Sequence, residues 1–322
     1  MTKTPATPRK STPSHMPEAP RMLPVVQSTA GEGKPPIFEK VAIAGLGLIG
    51  GSIALAARQH WPTALVIGLD RSEVLEKAML LHAIDVAASD PVVIADADLI
   101  ILAAPIEANI GLLGGLEGNV VRSAVVTDVG STKRATVDAA RQLPSRLSFV
   151  GGHPLGGAPR SGIEHARPDL FVDRPWVFTP EGAETSKPLE RLCDFVEVLG
   201  AKPQVMSPLE HDRQLAMVSH LPQLTVSALM HVVGTAAGVP GLKLTGRGFF
   251  DATRLASSSA DIWQDICRSN ADQIRTAIDV LITQLESMQR ALDKDDDIAR
   301  TFNSAGEWRE RLVALRPPKP TA

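Results

Sequence analysis

From Phe38 onward, short apolar runs alternate with stretches in which apolar residues recur at helical spacing. The runs lie at 41–44, 64–69, 99–103, 124–128, 147–150 and 176–178, with a further strand expected at 203–206. Such alternation predicts a mostly parallel sheet covered on both faces by helices. The pattern changes at Ser207-Pro208-Leu209-Glu210, which offers an N-cap serine, a proline at the first helical position and a glutamate placed for a capping box. From there to about residue 315 the periodicity is helical throughout, so an all-helical second domain should follow the α/β one. The expected organisation is a disordered tail over 1–37, an α/β domain over 38–206, a helical domain over 207–315 and a second tail over 316–322. The Pro-, Thr- and Ser-rich composition of the first segment gives it little to bury. The acidic run at 293–297 reads as a solvated turn.

Composition narrows the classes of partner. With 322 residues, 44% hydrophobic and 21% charged, the chain can bury the cores of two domains. A formal net charge of −3 gives no basic footprint for nucleic acid, so an anionic ligand must be held by local arginines. Cys193 and Cys267 lie far apart, without metal-ligand spacing or a disulfide framework, which predicts no metal site and a reducing cytoplasm. The charge-free run at 41–57 is broken by glycines, and no membrane span is expected.

That same run carries chemistry. Gly45, Gly47 and Gly50 stand in G-x-G-x-x-G spacing after a predicted strand, with Leu48 and Ile49 opening the helix that follows. Gly45 should make the tight turn, Gly47 should admit a pyrophosphate, and Gly50 should let helix pack on strand. The next strand ends at Asp70, where a carboxylate accepts hydrogen bonds from the adenosine ribose. This context predicts a Rossmann-like dinucleotide-binding domain rather than a glycine turn serving packing alone. Asp70 repels a 2′-phosphate and favours NAD over NADP, while Arg71 can stack on adenine or meet a phosphate.

Four further stretches stand out: DVGSTK at 128–133, GGHPLGGAPRSG at 151–162, SHLPQ at 219–223 and FFDATRLASSSADIW at 249–263. Together with the glycine fingerprint they resemble, in order and approximate spacing over about 40–312, the prephenate and arogenate dehydrogenases of tyrosine biosynthesis. The resemblance implies a Rossmann-like domain followed by an all-helical C-terminal dimerisation domain, hence a homodimer, and NAD-dependent oxidative decarboxylation of prephenate or arogenate. It implies that His153, expected on a loop beyond a strand end, accepts the proton of the substrate's C4 hydroxyl. Ser131 would contact that histidine, the hydroxyl and the nicotinamide region. Arg254 would bind the ring carboxylate, and His220, near a helix kink or end at Pro222, would lie beside the substrate.

Blander roles compete: His153 as a turn cap, Ser131 as an N-cap, Lys133 as a ligand contact or an exposed helix residue, Arg247 in a surface salt bridge, Trp263 in packing. His60, His82, His165, His211 and His231 have no motif behind them and default to surface or satisfied core positions. Where many relatives carry Thr-Glu, this chain has Ala158-Pro159-Arg160, which favours prephenate over the ammonium-bearing arogenate unless Glu164 turns inward. The motif order leaves no stretch for a fused mutase or regulatory domain, which predicts a monofunctional chain. The competing functions are a β-hydroxy acid dehydrogenase, for which Lys243 would be the catalytic lysine, and an NAD-binding protein without turnover.

Overall fold

The computed structural model describes residues 35–156, 161–182, 185–293 and 295–315. The expected tails over 1–34 and 316–322, together with Ala158, Pro159 and Arg160, lie outside them. Ile37, expected in the first tail, packs on the core, and its carbonyl accepts from Arg191 Nη2 at 2.7 Å.

Eight strands form one sheet: β1 (Lys40–Ala44), β2 (Leu65–Leu69), β3 (Val86–Ala88), β4 (Leu99–Leu102), β5 (Ala124–Asp128), β6 (Leu147–Pro154), β7 (Pro175–Thr179) and β8 (Lys202–Val205), in the order β3-β2-β1-β4-β5-β6-β7-β8. All neighbours pair in parallel except β6 and β7. Val41 and Ile43 enter a core on one face of the sheet, and Ala42 and Ala44 enter a second core on the other. Period-two alternation with both faces buried explains why these strands read as continuous apolar runs. β3 escaped the sequence pattern because it is a three-residue edge strand, Val-Ala-Ala, between Asp85 and Asp90. Pro203 is tolerated in β8 because that strand is the other edge.

Five helices belong to the sheet: α1 (Leu48–His60), α2 (Ser72–Leu80), α3 (Ile106–Asn119), α4 (Arg134–Ala140) and α5 (Lys187–Val198). Six follow: α6 (Pro208–Leu215), α7 (Leu221–Leu242), α8 (Arg247–Ala252), α9 (Ala260–Ser269), α10 (Ala271–Arg290) and α11 (Asp295–Ala314), with no strand among the described residues beyond Val205. Ser207 caps α6 as expected, its Oγ accepting from Glu210 N at 3.2 Å. Glu210 does not complete the box, because its carboxylate accepts from Gln214 instead. The helix neither stops nor simply kinks before Pro222. One π-helical turn, Ala216–His220, joins α6 to α7, with Leu221 N–H bonded to the carbonyl of Ala216 five residues back. A true break comes later, at Gly238 (φ 57°).

A second expectation changes at β6. The sequence pattern ends the strand at Val150 and puts His153 on a loop, whereas β6 runs on to Pro154 and pairs antiparallel with β7, His153 opposite Val177. The two glycines before it are the reason. A Cβ on Gly151 would stand 2.3 Å from Thr179 Oγ1, and one on Gly152 would stand 2.6 Å from the Asp128 carbonyl oxygen. Only glycine lets β6 continue between β5 and β7, so the pair extends the strand where it was read as ending it.

Candidate active site

The glycine fingerprint forms the turn from β1 into α1. Gly45 takes φ +99°, and a Cβ there would lie 2.6 Å from the backbone of Ala103. A Cβ on Gly50 would stand 1.9 Å from the Gly45 carbonyl oxygen, whereas one on Gly47 would meet nothing within 4 Å. Gly47 therefore faces open space at the N-terminus of α1, where unpaired amides favour phosphate. Asp70 closes the turn: Oδ2 accepts from Leu46 N and Oδ1 from Arg71 N, each at 2.7 Å. A carboxylate oxygen has room for a second donor, so Asp70 can accept ribose hydroxyls as well. The cradle fits a dinucleotide.

A cleft of about 440 Å³ opens beside this turn. Gly47, Leu48 and Ile49 line it from α1, Ser131 from the turn after β5, Ser257, Ser258 and Ser259 from before α9, and Trp263 from α9 itself. Trp263 thus faces the cleft as well as packing. His153, His220 and Arg254 are not part of that lining. Arg254 is exposed at the head of the turn Arg254–Ser257, whose far end reaches the cleft.

Behind the cleft lies a buried polar network. Asp128, at the end of β5, accepts from Gly130 N (3.0 Å) and Gly152 N (3.1 Å) and pairs with Lys133, whose Nζ also donates to the Gly152 carbonyl at 2.6 Å. Lys133 is fully buried, which overturns its reading as an exposed helix residue: it is a cationic post beneath β6. Burial pushes its ammonium below the ordinary lysine range, and Asp128 opposes that shift.

His153 Nδ1 lies 2.9 Å from His211 Nε2, and His211 Nδ1 lies 2.8 Å from Asp212 Oδ1. Asp212 also accepts the amides of Lys133 (2.7 Å) and Arg134 (3.1 Å), the first N–H groups of α4. The N-cap role open to Ser131 is therefore filled from another helix, and Ser131 is left on the cleft wall. His153 likewise caps no turn carbonyl with its Nδ1; that nitrogen meets His211. Nothing local in the sequence marks His211, because its partner is 58 residues away. Burial, then the neighbouring His211 and Lys133, holds His153 well below the ordinary histidine range, so its resting ring is neutral.

His220 is buried in the π turn. Its Nδ1 lies 3.3 Å from Asn270 Nδ2, its ring meets Trp263 edge-on at 5.9 Å, and its Nε2 has no partner among the described residues. Burial lowers its pKa to about 4. Arg134 fastens α4 to α6 and α10, donating to Asp212 Oδ2 (3.1 Å), Asn270 Oδ1 (2.8 Å) and both oxygens of Asp272. Glu164 turns outward, 3.8 Å from Lys77, and Arg247 makes the surface pair expected of it, with Asp251 at 3.6 Å. Lys243 is exposed just past α7, away from the cleft lining.

Residues 53–205 match the family described as "Prephenate dehydrogenase, nucleotide-binding domain", and 207–303 match "Prephenate dehydrogenase, dimerization domain". The chain belongs to the prephenate dehydrogenase family. These are NAD-dependent oxidoreductases, and the first match begins just past the glycine fingerprint. The chain is 35% identical to the prephenate dehydrogenase of Bacillus subtilis over 85% of its own length and 76% of that protein's. It is 30% identical to the cyclohexadienyl dehydrogenase of Zymomonas mobilis, covering 81% and 90%. The prephenate dehydrogenase of Aquifex aeolicus, solved with hydroxyphenyl propionate and NAD+, superposes with a TM-score of 0.80 at 28% identity over 85% of this chain and 98% of that one.

Proposed function

We propose that this chain catalyses the NAD-dependent oxidative decarboxylation of prephenate to 4-hydroxyphenylpyruvate. Bound NAD supplies the hydride acceptor. The observation that carries the reading is the geometry of His153 on β6, whose Nδ1 lies 2.9 Å from the buried His211 with Asp212 beyond it, in a setting that favours a neutral ring. His153 accepts the C4 hydroxyl proton as hydride leaves C4. The bond from the ring to its carboxylate then breaks, carbon dioxide departs, and the released electron pair makes the ring aromatic. The phenolate oxygen takes back a proton. Ser131 orients the hydroxyl from the cleft wall, Arg254 holds the ring carboxylate in its ionised form, and His220 offers its unpartnered Nε2 to the substrate. The fingerprint with Leu48 and Ile49, together with Asp70 and Arg71, holds the dinucleotide.

Prephenate is preferred to arogenate in this reading because Ala158-Pro159-Arg160 supplies no carboxylate for an ammonium and Glu164 faces outward. The domain boundary falls between Val205 and Pro208, the helical part pairs two copies, and the free Cys193 and Cys267 suit a reducing cytoplasm. The test is NADH formation with purified protein, NAD and either substrate. Turnover should be faster with prephenate, and His153→Asn should lower kcat on the order of 10²–10⁴-fold while NAD still binds. Undiminished turnover in that variant would remove His153 from the chemistry.

A further inference from the structure

We propose that Asp212 and His211 are positioning residues that fix His153 as its Nδ1–H tautomer, leaving the Nε2 lone pair as the proton acceptor. This inference rests on the role given to His153 above and goes beyond it by naming the reacting nitrogen and what sets it. Donors and acceptors must match along one chain of contacts from Asp212 to His153. The Asp212 carboxylate takes the amides of Lys133 and Arg134, Arg134 Nε and His211 Nδ1, all donors to an ionised group. Although burial pushes its pKa up, the bonds from His211 and the two amides prevail and hold it below the ordinary carboxylate range.

An ionised Asp212 requires the proton of neutral His211 to sit on Nδ1, so His211 Nε2 is an acceptor. The 2.9 Å contact between that nitrogen and His153 Nδ1 then needs a proton from the His153 side. His153 Nε2 is left as a lone pair.

The charged state follows the same geometry. As the substrate O–H bond breaks and the Nε2–H bond forms, His153 becomes an imidazolium whose Nδ1–H points at His211 Nε2, with the Asp212 carboxylate beyond it. The positive charge is spread toward Asp212. Around the two rings stand Lys133 and Asp128 below, His220 on the π turn, and Asp212 with Arg134 behind. Lys133 and burial keep the base neutral at rest, while Asp212 favours the cation that forms. His211 is fully buried and both its ring nitrogens are engaged in this chain of contacts.

The experiment is ring-nitrogen NMR of the full-length, histidine-labelled protein, with NADH kinetics on prephenate for wild type, His211→Phe, His211→Gln and His153→Asn. Wild-type His153 should show a protonated Nδ1 and a bare Nε2, the less populated form of a free histidine side chain. His211→Phe should move it to the Nε2–H form and lower kcat on the order of 10²–10⁴-fold with little change in KM. His211→Gln, whose amide oxygen can accept from His153 Nδ1–H, should recover roughly tenfold or more of that loss, which mere filling of space would not. An Nε2–H form of His153 in the wild type, or His211→Phe turning over at the wild-type rate, overturns the proposal. If His211→Phe does not fold, the wild-type tautomer and the His211→Gln rate still decide it. Turnover surviving His153→Asn would instead overturn the underlying role of His153; loss there with full activity in His211→Phe removes only the positioning pair.

Discussion

Three histidines packed behind one cleft should make this protein sensitive to acid. Burial holds His153, His211 and His220 below their ordinary range, His220 at about 4 against 6.5 when exposed. Between those two values the unfolded chain binds more protons than the folded one, so stability falls as pH falls through the window. His220 alone accounts for roughly 3 kcal/mol at its folded value, and His153 and His211 act in the same direction. The low-lying carboxyls of Asp212 and Asp272 act only further down, as pH falls below the ordinary carboxyl value of 3.8. Melting temperature should therefore drop steadily from about pH 7 to about pH 4.5, and His220→Gln should flatten part of the slope. A melting curve indifferent to pH across that range would mean that the rings are not buried neutral.

The sequence singles out His153, Ser131 and Asp70 as candidates because each sits in a local motif that states its own context. It does not place Lys133 and His211, since their positions depend on Asp128, Gly152 and His153, which only the folded sheet brings to them.

At the scale of elements, periodicity located seven of the eight strands and the onset of the helical part, because those signals are local. It could not show that Gly151 and Gly152 prolong β6, since the reason lies on β5 and β7. Nor could it show the π turn, which absorbs one residue before Pro222 and buries His220. The start of α7 carries a second task. Gln223 donates to the Leu255 carbonyl at 2.7 Å and accepts from Ser258 Oγ at 3.1 Å, tying α7 to the turn that bears Arg254. Gln223→Leu removes both bonds, although the Leu255 carbonyl keeps the Ser258 amide as a donor, and should cost about 0.5–1.5 kcal/mol of stability for each bond lost. If Arg254 binds the substrate carboxylate equally in ground and transition states, KM for prephenate should rise several-fold and kcat change little. A variant with unaltered KM and a normal melting temperature would show that the turn holds its place without this glutamine.

At the scale of the whole molecule, a second charge-free stretch, beyond the one at 41–57, lies on a single long helix. Residues 214–242 contain no Asp, Glu, Lys or Arg, and the helix over Pro208–Leu242 is long and apolar enough, by length and composition, to cross a membrane. Its N-terminal part is bound into the protein, with His220 and Gln223 buried, while Val232 (60% exposed) and Val239 (67%) face outward. Phe302, Trp308 and Leu312 on α11 are exposed too, as are Val280 and Leu285 on α10. Apolar surface on this scale calls for a cover. A second copy of the chain suits it, since 207–303 match a dimerization domain and an isologous contact lets one apolar patch cover its twin. The protein should sediment at twice its 34.3 kDa at micromolar concentration. Placing a charge on the outward face of α7, as in Val232→Glu, should shift it toward monomer, because an unpaired carboxylate would be buried at the contact. The fingerprint turn is remote in sequence from that face, so NAD binding should survive the change. A wild-type monomer across the concentration range, or co-sedimentation of the wild type with lipid vesicles, would show that something other than a second copy covers these helices.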